Sequence, residues 1–133
     1  MSFVELIALA GFSAAALAML LVTQTKERVA WPAWLVPLTV ALPLAAWGAL
    51  AIQREGLFGF WSLVTGSAWG LQLWLDRLVV LAAAFFLLQN RARAAGMKSE
   101  VWVLAIIVTG GVGLLLMLAR TVFLERQQAR ERL

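Results

Sequence analysis

Four stretches of this chain, residues 3–22, 34–52, 71–89 and 101–119, are apolar almost throughout. Each is about as long as a helix must be to cross a bilayer, which takes about 20 residues. A helix satisfies its own backbone in lipid, whereas a barrel strand would alternate polar and apolar residues. None of these runs alternates. The pattern therefore predicts an all-α fold: a bundle of four transmembrane helices forming a single membrane domain over residues 1–133.

Composition supports the same solvent. The chain is 63% hydrophobic and 14% charged, with a mean hydropathy of +0.90. An average soluble domain is about half apolar and a quarter charged. So few polar groups cannot cover so much apolar surface in water. The first run has Glu5 and no basic residue ahead of it. It lacks the charged start and small-residue cleavage site of a signal peptide and is read as a mature helix.

The residues 56–70, "GLFGFWSLVTGSAWG", fit neither a loop nor a span. Joined to the third run they would make a helix about 50 Å long, too long for one crossing and too short for two. They are expected to form a short interfacial or re-entrant helix before the third span, broken near Gly66 or Gly70. Residues 120–133 form a polar tail of mixed charge. The seven tryptophans test this layout, because Trp prefers the membrane boundary. Trp31, Trp34 and Trp102 fall near the first and third loops. Trp47, Trp61, Trp69 and Trp74 fall near the second loop and the termini.

Four crossings would place the second loop, the tail and the N-terminus on one side. The basic residues of the loops and the tail then divide equally, five to each side. The weight usually given to the first helix sets both termini outside the cytoplasm. Folding the third and fourth runs about "NRARAAGMKSE" brings Asp76 level with Leu115, and Arg120 about 7.5 Å nearer the surface. Asp76 is costly in lipid without a partner, and Arg120 is the expected one. Arg77 points about 100° away on its helix and is expected to snorkel to the headgroups. The pair serves either to fix helix depth or as an ion site.

Small residues suggest close helix packing, which matters where lipid supplies no hydrophobic drive. Ala14 and Ala18 belong to a stripe on the first helix. Gly66 and Gly70 form a GxxxG pair, and Gly110, Gly111 and Gly113 lie within the fourth run.

Several chemistries have no residues to carry them. The chain has no Cys and no His, so thiolate chemistry and the commonest metal ligand are excluded. It holds no phosphate-binding Gly-Lys loop and no nucleophile triad. No metal site, cofactor or enzymatic activity is expected. A basic stripe on a soluble surface, the mark of nucleic-acid binding, is also missing.

The pattern "LPL" at residues 42–44, "LDRLVV" at 75–80, "RARAAGM" at 91–97 and a Gly-containing last run ending in Arg120 resembles a family of small uncharacterised bacterial multi-helix membrane proteins, over about Leu38 to Arg120. That family usually has a second acidic or polar residue near the exit of the Asp helix and a Pro late in the last helix, and this chain has neither. The resemblance implies architecture and no activity. The expected role is a non-catalytic accessory or assembly subunit of the bacterial inner membrane. Its expected partners are the lipid bilayer and other membrane subunits or further copies of itself. The alternatives are a small proton-linked carrier using Asp76, or a binder of an apolar ligand such as a carotenoid, quinone or lipid.

Overall fold

The computed structural model describes residues 1–24 and 33–133; Trp31 lies outside them. Every regular element among the described residues is helical: α1 (Phe3–Gln24), α2 (Leu35–Glu55), α3 (Gly59–Thr65), α4 (Ala68–Ala94), α5 (Ser99–Thr109) and α6 (Gly111–Glu131). The chain divides into two units, Met1–Trp31 and Pro32–Leu133. Helices α1, α2 and α4 are long and apolar enough to cross a membrane.

The first unit is α1. A reciprocal capping box starts it: the Ser2 amide donates to Glu5 Oε2 at 2.7 Å, and the Glu5 amide donates to Ser2 Oγ at 3.2 Å. Two of the free amides at the helix start are thereby satisfied, which gives Glu5 a structural role. Ala14 and Ala18 are exposed within this unit.

The second unit is organised around α6, which packs against α2, α4 and α5. Trp34 meets Phe123 edge-on, with ring centroids 5.6 Å apart. Leu44 lies beside Gly111. Rising residue numbers on α2 thus meet falling numbers on α6, and the two helices are antiparallel. Pro37 and Ala41, the buried residues of α2, lie between the levels of those two contacts. Between α2 and α4 the chain makes the short helix α3. Gly66 ends it, and the Ser67 hydroxyl then caps α4 by accepting from the Gly70 amide at 2.9 Å. Gly70 approaches the Leu63 carbonyl too closely for any side chain there.

The fourth apolar run is where the fold departs from the expected four-span bundle. It is not one helix. Helix α5 ends at Thr109, and Gly110 takes φ +66° and ψ −126°, a conformation open to glycine alone. The chain then folds back. A Cβ on Gly113 would lie 2.8 Å from the carbonyl oxygen of Ala105, eight residues earlier. In a straight helix those levels are about 12 Å apart. Trp102 and Ile106 of α5 share one core cluster with Leu114, Met117 and Leu118 of α6 and Leu88 and Ala92 of α4. Helices α5 and α6 are therefore a helical hairpin, and α6 runs parallel to α4.

The turn from α4 into α5 is equally specific. The Gly96 amide donates to the Arg93 carbonyl and the Met97 amide to the Ala92 carbonyl, both at 2.9 Å, with Gly96 at φ +87°. This is a Schellman stop, completed by the packing of Met97 on the core that holds Ala92. Along the helices, hydroxyls turn back onto carbonyls one turn earlier. Thr39 donates to Val36 at 2.8 Å, Thr109 to Ala105 at 2.6 Å and Thr121 to Met117 at 2.8 Å. A polar side chain satisfied on its own helix needs no water.

Candidate functional site

The hairpin gives the second unit two chemically different ends. One end gathers the C-terminus of α2, helix α3, the start of α4 and the tip of the α5–α6 hairpin. Phe60 stacks on Trp74 with centroids 5.4 Å apart and meets Trp61 edge-on at 6.3 Å. The guanidinium carbon of Arg77 sits 5.8 Å from the Trp74 ring centroid, within cation–π range. The same guanidinium lies against Gly110, in the space a Cβ would need. Glycine at 110 thus serves twice: it permits the backbone turn and leaves room for the cation. Arg77 also places positive charge at the C-terminal end of α5, where the helix dipole is negative. Its role differs from the snorkelling expected of it.

Asp76 stands beside Arg77 in sequence and is exposed. It makes no hydrogen bond or ion pair among the described residues. The expected partner, Arg120, is not near it. Arg77 lies against Gly110, and Arg91 pairs with Glu125, so α4 and α6 keep an almost constant offset in numbering. On that offset Arg120 is level with about position 87, about 16 Å along the axis from Asp76. The expected pairing assumed that the fourth run crosses; it turns back instead, and Arg120 is carried to the opposite end. The same correction separates Glu55, at the end of α2, from Glu125.

The other end gathers the start of α2, the turn from α4 to α5 and the last part of α6. Arg91 grips Glu125 with two bonds, Nε to Oε1 at 3.0 Å and Nη2 to Oε2 at 2.7 Å. Both partners are partly exposed, at 53% and 36% of the side chain. Thr121, fully buried, donates its hydroxyl to the Met117 carbonyl, and the same oxygen lies 3.3 Å from the Met97 sulfur. These contacts were not anticipated from the sequence. The readable signal was Glu125, an acid placed among arginines in a tail that otherwise looked solvated.

The remaining predicted residues divide between the two ends. Trp34 and Trp102 lie at the second end, and Trp61, Trp69 and Trp74 at the first. Trp47 lies along α2 and is 54% exposed. Of the glycines, Gly110 forms the hairpin turn and Gly113 is buried where α5 and α6 approach each other. Gly111 faces Leu44, and Gly66 closes α3. No group of three or more acidic residues able to hold a metal occurs among the described residues. No protein-family model, curated protein or solved structure matches the chain.

Proposed function

We propose that this chain is a non-catalytic subunit of the bacterial inner membrane, in which α1, α2 and α4 cross the bilayer and the α5–α6 hairpin enters and leaves on one side. Its task in this reading is to pack against the transmembrane helices of a larger assembly. The observation that carries the reading is Asp76. It lies about 12 Å along α4 from the helix start, on a helix apolar enough to span, and it is exposed and unpaired within the second unit. A carboxylate at that depth is expensive unless a partner satisfies it. Helix α1 carries no basic residue between Phe3 and Gln24. A cation or hydrogen-bond donor on another subunit's helix supplies what the described residues of this chain do not. The apolar surface of α4 itself flanks it, with Leu73 and Val79, one turn to either side, each more than 60% exposed.

The charge distribution supports one orientation. With the tail at the same end as the α4–α5 turn, the bases no longer divide evenly. Arg91, Arg93, Lys98, Arg120 and the arginines of the tail stand at one end of the second unit, and only Arg54 and Arg77 toward the other. The positive-inside rule puts the basic end in the cytoplasm.

Native purification in mild detergent tests the subunit reading, with Asp76→Asn and Asp76→Ala compared to the parent chain. The expected result is a larger complex at fixed stoichiometry, weakened in both variants, while the helix content of the isolated chain stays unchanged. A chain that purifies alone, and whose Asp76→Asn form loses a proton-coupled flux in vesicles, belongs to a carrier and overturns the reading. Single cysteines at positions 55 and 125 test the topology and should label from opposite sides of the membrane.

A further inference from the structure

The parallel course of α4 and α6 concentrates charge that is dispersed in the sequence. From Arg91 to the C-terminus the chain has seven bases and three acids, Glu100, Glu125 and Glu131. That excess equals the whole net charge of +4. At the other end of the second unit Arg54, Glu55, Asp76 and Arg77 cancel. One acid of the basic end, Glu125, is already occupied by Arg91. Arg93, Lys98 and Arg120 are exposed and come from α4, the α4–α5 turn and α6 respectively. None of the three makes an ion pair among the described residues.

The depth of these cations identifies what they meet. Arg93 lies in the last turn of an apolar helix long enough to span, and Lys98 lies in the turn that follows. Arg120 is one residue before Thr121, whose hydroxyl oxygen lies against the sulfur of Met97 in that same turn. All three therefore stand where hydrocarbon gives way to headgroups, not out in the solvent. Arg120 neighbours apolar surface: Leu116 and Phe123 beside it on α6 are 37% and 40% exposed. A cation at that level beside apolar contacts fits a lipid with a charged head and an acyl chain better than it fits a soluble polyanion.

We propose that this end is a docking surface for anionic phospholipid headgroups, with Arg93, Lys98 and Arg120 as its principal contacts. The surface is built by the return of α6: in a fully crossing fourth run Arg120 would face the opposite leaflet. The proposal rests on the membrane reading above, and its test separates the two.

The full-length protein is exchanged into detergent micelles holding equal amounts of phosphatidylglycerol and phosphatidylcholine, and the lipids it retains are counted by native mass spectrometry. Phosphatidylglycerol should be retained several-fold over phosphatidylcholine. Salt should reduce the preference, since exposed charges are screened beyond about 3 Å at 1 M. Arg93→Gln, Lys98→Gln and Arg120→Gln should each lower it, by up to about fivefold per charge removed. Arg54→Gln, at the other end, should leave it unchanged. Equal retention of the two lipids overturns the proposal, and so does an equal loss in Arg54→Gln. Tight binding of a short RNA with no lipid preference assigns the cations to nucleic acid and also overturns it. Recovery of the parent chain from the aqueous phase without detergent defeats the membrane reading itself.

Discussion

Helices α4 and α6 run side by side in the same direction, yet they meet different surroundings. Helix α4 is the more apolar and is largely exposed, with only Leu88 and Ala92 buried. Helix α6 ends in a charged segment, and it buries Gly113, Met117, Ala119 and Thr121. In water the apolar helix would be the core. In lipid, apolarity marks what faces the solvent, and the core is chosen by shape. Helix α6 is central because glycine, alanine and threonine let three neighbours approach it. The more apolar α2, α4 and α5 pack around it.

The largest expected effect breaks the device that brings α6 back beside α4. Gly110→Val puts a β-branched residue at φ +66° and drives a side chain into the Arg77 guanidinium. Backbone strain at such a position costs about 1–3 kcal/mol before the clash is counted. The variant should melt well below the parent in detergent. A cysteine at position 125 in that background should lose its protected, one-sided labelling as the hairpin opens. If the variant folds and labels like the parent, the turn does not set the position of α6.

Next in size is the core between the two helices. Met117 is fully buried, and Leu88 is 7% exposed. Truncating a side chain of this kind to alanine leaves a cavity, at a cost of about 2–5 kcal/mol. Met117→Ala and Leu88→Ala should both destabilise the unit. Their double variant should cost less than the two separately, because they line the same cluster. Thermal unfolding of the purified variants measures all three.

The three long helices were legible because length and hydropathy suffice to mark them. The expected span 71–89 lies inside α4, and 34–52 matches α2 except that Trp34 is its N-cap; both observed helices run a few residues further. Helix α4 extends further at both ends because Ser67 caps its start and Gly96 stops it. The break before α4 fell at Gly66, one of the two positions expected. The fourth run departs from the expected span for a physical reason. An apolar stretch of about 20 residues satisfies the length rule whether it crosses once or returns at its middle. "TGGVG" at residues 109–113 has the composition of a packing face. Only the backbone angles at Gly110 distinguish a turn from a groove. The charge pairing depends on that one turn. With α6 at the opposite end, Asp76 would gain Arg120 as a neighbour, and Glu125 would lose Arg91.

A smaller effect is expected from the ion pair that ties the two helices near the basic end of the unit. Arg91 and Glu125 are both partly exposed, and such pairs contribute about 0.2–1 kcal/mol. Arg91→Gln and Glu125→Gln should each lower the melting point by a degree or so, and the double variant by little more. High salt should erase the difference. A loss comparable to that of Met117→Ala would mean that charge, and not shape, holds α6 in place.

The smallest expected effect is the sharpest test of the comparison. Leu87 and Leu88 are adjacent leucines on α4, but Leu87 is 74% exposed and Leu88 only 7%. Leu87→Ala removes the same atoms as Leu88→Ala from a side chain that faces outward. In lipid those atoms are replaced by acyl chain, so little is lost, and the expected change is within about 0.5 kcal/mol. Stability of the isolated chain should therefore separate the two variants several-fold. Copurification adds the converse reading. If Leu87 lies on a face that a partner covers, Leu87→Ala will weaken the complex while leaving the isolated chain intact. An equal loss of intrinsic stability from Leu87 and Leu88 would show that the outer face of α4 is packed within this chain, and the contrast between an apolar exterior and a small-residue core would no longer hold.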